Sequence, residues 1–347
     1  MSLESAPPTP LLTIAIPTFN RADTLSSLLA VLLPQVEEFP EVEVLVSDNA
    51  SSDHTTAVLA AFQPRFAAAG TRLRAQRHPQ NIGSDANFVS LYKAARGRFF
   101  WMCGDDDLIV PGGLAQLIPH IAAADPPDLI YATSYGFREN PAEEFQCDPM
   151  QRNFHTIRSA ARFARVVNIM FTFISGIIIH RERLESLPHE DPADFIGTNL
   201  VQLSWSLPLL LSLRKGVVLW QRPVAARQGH AHGYSLGSVF GENLTANTRR
   251  LLPDRPDLVD EILDPTIRRW FPSILVDVRS SGNTALQLGS AHQHLSRAFA
   301  GNFRYWLFTW PVLKLPLPLA RLWQKAGAGI SKLIYAATVP NFWRKRT

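Results

Sequence analysis

The 347-residue chain is 46% apolar and 18% charged, enough for two domains or one large α/β domain with an appendage. With 19 glycines and 10% aromatics, that balance excludes disorder, collagen and coiled coil as the main architecture. Cys103 and Cys147 are too few for a disulfide framework or a cysteine-based zinc site, so a reducing cytosolic setting is the expectation.

Residues 1–10 carry Glu4 and three prolines, which is not the pattern of a signal peptide. Residues 11–16 form a short apolar run ending at Pro17 and read as a buried strand. Residues 18–21 are loop-like. Asp23 is placed to cap a helix over 24–33 with Leu25, Leu28, Leu29 and Leu32 on one face, and Pro34 and Pro40 mark its exit. A second strand over 42–46 closes at Ser47-Asp48-Asn49. Asp53 opens a helix over 55–62, and 72–76 reads as a third strand followed by the Asn81-Ile82-Gly83 loop. Residues 87–95 are helical and Gly97 ends them. Residues 99–102 form a fourth strand running into Gly104-Asp105-Asp106-Asp107.

This alternation predicts a mostly parallel, Rossmann-like α/β sheet flanked by helices. In such sheets ligands bind beyond the carboxyl ends of the strands. The clusters at 18–21, 48–53 and 105–107 all follow predicted strands and would share one rim. Further on, 129–131 and 217–220 read as strands, and 171–180 as a turn at Ser175-Gly176 entering a buried strand. Residues 199–213 form an apolar helix kinked at Pro208. Residues 228–237 are a Gly- and His-rich loop, and the pattern is helical from about 242. The longest apolar run, 169–179, is too short to span a bilayer, which takes roughly 18 residues.

Three consecutive carboxylates after a buried strand repel one another, and a divalent cation or solvent relieves them. Oxygen ligands suit magnesium or manganese. The same triplet also reads as a solvated turn capping the next helix. Asp48, at another strand end, is placed to accept hydrogen bonds from a base or ribose, or to make an Asx turn. Arg21 balances either a phosphate or a neighbouring carboxylate.

In order and spacing these motifs resemble the family two glycosyltransferases, which have the GT-A fold. The matching text is Ile14-Ala15-Ile16-Pro17-Thr18-Phe19-Asn20-Arg21, then residues 44–53, Asn81-Ile82-Gly83 with Asn87, Ala95-Arg96-Gly97, and Gly104-Asp105-Asp106-Asp107. The abequosyltransferase-like branch of bacterial surface polysaccharide enzymes is the nearest likeness, through Gly197-Thr198-Asn199 and Arg227-Gln228-Gly229. The resemblance implies a catalytic domain over 1–240, a helical extension over 241–302 and a tail over 303–347. It also implies sugar transfer from a nucleotide-diphosphate sugar to a saccharide or lipid-linked acceptor, assisted by Mn2+ or Mg2+. Pro17, Thr18, Asn20, Arg21, Asn81, Gly83 and Asn87 would line the nucleotide-sugar pocket. Asp48 would bind the base, Asp105 the ribose side with Asp106 beside it, and Asp107 with Asp105 the metal. His230 and His232 are further metal candidates.

Inverting members of the family carry an acidic pair at the start of a helix in the second half. Here Gly197-Thr198-Asn199 stands there, and Glu190, Asp191 and Asp194 lie upstream. Asp194 is the first candidate for the base and Asp191 the second, against a simple capping role. That departure leaves a non-catalytic scaffold as the alternative function.

The net charge of +4 conceals an asymmetry. The last acidic residue is Asp277, and residues 278–347 hold ten Lys or Arg. The first 277 residues then carry 24 basic and 30 acidic residues, a net of −6. Residues 303–347 interleave eight basic residues with nine aromatics, a composition suited to a membrane interface. A cytoplasmic protein held at the inner membrane face is expected, with no nucleic-acid partner. A packed helical appendage is the other reading of the tail.

Overall fold

Strand β1 (Leu12–Thr18) is buried along its whole length, as a central parallel strand must be. It continues through Pro17 to Thr18, one residue into the segment expected to be loop. The structure, a computed structural model, describes residues 9–145, 153–228, 233–281 and 286–338. Helix α1 (Ala22–Glu38) runs past Pro34, which the sequence reading had made its exit. Burial of Leu25, Leu28, Leu29, Leu32 and Val36 on one face carries it through the proline. Asp23 does not cap it. Asp53 Oδ2 instead accepts from the Ala22 N–H at 3.0 Å.

Strand β2 (Val42–Asp48) leads to α2 (Thr55–Ala68), which Asp53 starts by accepting from the Thr55 N–H and Oγ1 at 3.0 and 2.6 Å. Next come β3 (Arg72–Arg77), α3 (Ser84–Ala94) and β4 (Phe99–Met102). The four strands pair in parallel in the order β3-β2-β1-β4, so their carboxyl ends form one rim. At the opposite end a Cβ on Gly97 would stand 2.4 Å from the Thr13 backbone nitrogen, so only glycine fits there.

The second half of the sheet is mixed. Its elements are β5 (Leu108–Ile109), α4 (Gly113–Ile121), β6 (Leu129–Phe137), α5 (Pro141–Glu144), β7 (Phe154–Ile157), α6 (Ala160–Val167), β8 (Ile177–His180), α7 (Arg181–Glu185), α8 (Leu203–Leu211) and β9 (Gly216–Arg227). The sheet continues β4-β8-β6-β9-β5, with β7 on β9. β8 is antiparallel to both β4 and β6, while β6 and β9 pair in parallel. Helix α8 starts at Leu203 rather than 199, because Asn199 holds φ 57°, a left-handed conformation no α-helix accepts.

The chain divides into two compact units, Met1–Phe163 with Met170–Gln228, and Ala164–Ile169 with Gly229–Thr347. The second unit is helical. It contains β10 (Tyr234–Ser235), a wide turn over Leu236–Asn243, α9 (Leu244–Leu251), α10 (Pro256–Pro265), α11 (Phe271–Ser281), β11 (Leu286–Gln287), α12 (Ala291–Phe299), α13 (Trp310–Lys314) and α14 (Leu317–Thr338). Trp323 of α14 donates from Nε1 to the Leu307 carbonyl at 2.8 Å, fixing α14 beside the turn Tyr305–Thr309. Among the described residues, no helix is long and apolar enough to cross a membrane.

Candidate active site

The rim is assembled from loops that follow β1, β2, β3 and β4. Asn20, at φ 53°, accepts on Oδ1 from the Ser52 N–H at 2.7 Å, and its own N–H donates to Ser51 Oγ at 2.9 Å. The β1 and β2 exits are thereby tied together. Asp48 is 1% exposed. Its Oδ1 accepts from the Ser51 N–H and its Oδ2 from Arg77 Nη1, both at 2.8 Å. A carboxylate has about four acceptor positions, and these two bonds fill half of them.

Asn81 and Gly83 act with Asn49. Asn49 Nδ2 donates to Asn81 Oδ1 at 3.0 Å, and Asn81 Oδ1 also accepts from the Gly83 N–H at 2.8 Å. Gly83 sits at φ 84°, where a side chain would be strained. Asn87 is buried and engaged by Ser47, whose hydroxyl donates to its Oδ1 at 2.6 Å. These three residues therefore shape the rim, whereas Thr18, Asn20, Arg21 and Asp48 stand at the strand ends themselves.

Arg21 Nη1 donates to Asp105 Oδ1 at 2.9 Å and to Asp106 Oδ2 at 2.8 Å. This pairing joins the β1 and β4 exits, 84 residues apart in the chain. Asp107 meets only slight dipoles by comparison. Its Oδ2 accepts from Ser175 Oγ at 2.6 Å and its Oδ1 from the Arg227 N–H at 3.0 Å. Ser175 Oγ also receives the Gly104 N–H at 2.9 Å, and the Ser175 carbonyl receives Trp101 Nε1 at 2.9 Å. Burial pushes the Asp105 carboxyl up to about 6, against the pull of Arg21. Burial, followed by repulsion from Asp106, pushes Asp107 up to about 7.

Among the described residues, no three His, Cys, Asp or Glu side chains stand together as a metal-ligand group. His230 and His232 lie outside the described residues. Asp105 and Asp107 form an all-oxygen pair, and magnesium or manganese commonly takes one or two carboxylates from protein and the rest from phosphates and water. A cation would relieve the burial and mutual repulsion that raise both groups, so the donors present fit such an ion.

Asp191 caps the short turn Pro192–Phe195, accepting from the Ala193 N–H at 2.9 Å, and pairs with Lys93 at 3.3 Å. Its carboxyl is held below the usual range, chiefly by that N–H bond. Asp194 is exposed in the same turn. Trp205 is core: it is buried and stacks on Tyr92 with ring centroids 5.3 Å apart.

Three contributors escaped the sequence reading. Arg77 carried no signal beyond its place at a strand end. Ser175 was visible only as part of a turn. Asp85, in the first turn of α3, accepts on Oδ2 from the N–H groups of Gly197 and Asn199, each at 2.8 Å. Nothing local in the sequence names partners 112 and 114 residues away.

The glycosyl transferase family 2 model matches residues 13–187. Abequosyltransferase RfbV of Salmonella typhimurium is 27% identical over 54% of this chain. The chain spans 58% of the length of that relative. Among solved structures, S. aureus TarS 1–349 in complex with UDP-GlcNAc aligns with a TM-score of 0.57 at 15% identity, over 91% of this chain and 88% of that one. Mannosyltransferase PcManGT from Pyrobaculum calidifontis, in complex with GDP-Man and Mn2+, aligns with a TM-score of 0.51 at 16% identity, over 99% and 91%. These two likenesses carry the fold.

Proposed function

We propose that this chain, which belongs to glycosyl transferase family 2, moves a sugar from a nucleoside-diphosphate sugar to a saccharide or lipid-linked acceptor in bacterial polysaccharide synthesis. The observation that carries the reading is the Arg21–Asp105–Asp106 pairing, which sets two acidic residues and a guanidinium against the exits of β1 and β4. Asp48 is the anchor for the base or ribose, with Thr18, Pro17 and Asn20 beside it. Asp105 and Asp107 would hold a divalent cation, and Mn2+ or Mg2+ is the chemical match. Such an ion, when bound, neutralises the diphosphate and makes it a better leaving group. Binding Mn2+ with a nucleotide sugar is recorded for the mannosyltransferase above.

In the transfer, an acceptor oxygen bonds to the anomeric carbon, the carbon–oxygen bond to the diphosphate breaks, and the acceptor proton goes to a base. Asp194 is the candidate base, an exposed carboxylate inside the turn that Asp191 caps. Asp191 is less suited, because its lowered pKa weakens it as a proton acceptor.

The C-terminal helices support a membrane-surface role. Phe303, Trp306, Leu307 and Trp310 are exposed at helical spacing, and Leu322 and Trp323 are exposed on α14 beside them. No acidic residue follows Asp277, so the patch lies in a wholly basic stretch of sequence. Aromatic rings with cationic neighbours suit anionic lipid.

The test is a thermal-shift screen of sugar nucleotides with and without Mn2+, followed by donor hydrolysis. A metal-dependent rise in midpoint and release of nucleotide are expected. No shift with any UDP-, GDP- or CDP-sugar would leave the scaffold reading in place.

A further inference from the structure

Asp85 is buried at 6% exposure, yet it lies in none of the pairings that join the β1, β2 and β4 exits. Its place in the fold is specific. It stands two residues after Gly83, whose carbonyl accepts from Asn49 Nδ2 at 3.3 Å, so α3 begins on the same rim as Asp48. From there its carboxylate reaches across to the backbone of residues 197–199. It accepts from the Gly197 and Asn199 N–H groups and from the Thr198 N–H between them, and the two flanking residues lie in the left-handed region, Gly197 at φ 93° and Asn199 at φ 57°. Gly197 takes its angle freely, whereas the left-handed Asn199 is a non-glycine residue that surrounding contacts hold in place. Ile196 is 47% exposed and Asn199 is exposed too, whereas Thr198 Oγ1 turns back to donate to the Phe195 carbonyl at 2.7 Å. Phe195 and Leu200, on either side, are buried anchors.

We infer that Asp85 is a positioning residue, which clamps the 196–199 loop to the rim so that the loop forms one wall of the transfer site. This rests on the glycosyl-transfer reading above. It also accounts for the absence of a carboxylate within Gly197-Thr198-Asn199. The charge at that place is supplied from α3 and is spent on backbone N–H groups, which leaves proton removal to another residue.

The clamp is tested on the full chain by amide hydrogen exchange of residues 196–199, Kd for UDP and GDP with Mn2+, and donor turnover. For Asp85→Ala, exchange at Gly197 and Asn199 should rise at least tenfold, turnover should fall at least tenfold, and nucleotide Kd should stay within twofold. Asp85→Asn keeps an acceptor oxygen and should fall between. Gly197→Ala perturbs the loop from its own side, where a Cβ meets no atom but φ 93° is strained, and it should reproduce the same split if the Asp85 variants fail to fold. Unchanged exchange overturns the clamp. A nucleotide Kd that weakens in step with turnover would make Asp85 part of the donor pocket and overturn the assignment. Faster exchange with parent-like turnover would reduce the bond to a purely structural one. If the parent protein binds no nucleotide, the transfer reading fails, while the exchange result still reports on the clamp.

Discussion

Both ends of the central sheet bury ionisable groups, and they treat the charge in opposite ways. Where the parallel strands begin, Glu43 Oε1 accepts from Thr13 Oγ1 at 2.6 Å and the Arg96 N–H at 2.9 Å, and Oε2 pairs with Arg74 at 3.1 Å. Asp128, just before β6, is met by the Arg214 guanidinium at 2.8 Å and by the Arg214 N–H at 2.7 Å. Every charge there is matched by a guanidinium and by backbone donors. Where the strands end, Asp105 and Asp106 share Arg21, while Asp107 leans on a hydroxyl and an N–H. Matched charge is a structural fastening. Unmatched, desolvated charge in a cleft is the mark of a candidate functional site.

The largest effect that separates the two ends is on stability. Glu43→Ala should destabilise the fold by about 3–5 kcal/mol, since Arg74, Thr13 Oγ1 and the Arg96 N–H lose a buried partner together. Urea unfolding reads this, and nucleotide affinity of the folded fraction should not change. A neutral result would erase the contrast. Asp107→Asn should do the reverse: unfolding midpoint near that of the parent, with Mn2+-dependent turnover reduced about 100-fold, or ~2.7 kcal/mol. Parent-like turnover at limiting Mn2+ would remove Asp107 from the metal role.

Asp48 sharpens the comparison, because it lies at the ligand end and yet pairs with Arg77 in the manner of the other end. Asp48→Ala should weaken nucleotide binding by ~1.5–3 kcal/mol, the worth of a charged hydrogen bond. Calorimetry giving an unchanged Kd would class it with Glu43 as a fastening.

The smallest effect belongs to His180, which faces the strand beginnings and stacks on Phe99 at 4.4 Å. Burial, then the Arg98 charge, lowers its pKa to about 4. Between about 6.5 and 4 the unfolded chain holds that proton and the folded chain does not. Its contribution is therefore fully present above about 6.5 and is lost as pH falls toward 4. His180→Gln should show a shallower fall in thermal midpoint over that window. An identical slope would mean that His180 carries its proton at no cost.

Much of the parallel half was legible because its signals are local. Apolar runs closed by Asp48 or Gly104, and an N-terminal aspartate at position 53, each act within a few residues. Pro34 misled because its cost is local while the compensation, a buried leucine face, extends over the whole of α1. The strands β5 and β7 are too short and too ordinary in composition to stand out. The β8 reversal depends on pairing with two strands distant in sequence. In the site, the carboxylates and Arg21 were readable by type and position. Ser175, Arg77 and Asp85 were not, since a serine, an arginine or an aspartate gains its role only from what the fold sets opposite it.

The two bonds that hold Asp107 also bear on the order in which the chain can assemble. Its partners, Ser175 and the Arg227 N–H, are 68 and 120 residues downstream. During synthesis, β1 to β4 and their helices have emerged long before either donor exists. The acidic loop must then wait, solvated and repelling itself, until β8 and β9 close on it and bury it. Contacts of such separation form late, because chain closure comes before any return from the contact. Under the cation role proposed for Asp107, metal affinity should be among the last properties gained on refolding, after the far-ultraviolet signal of the helices has recovered. A chain cut after α4 would carry all three aspartates and still lack the means to hold Asp107.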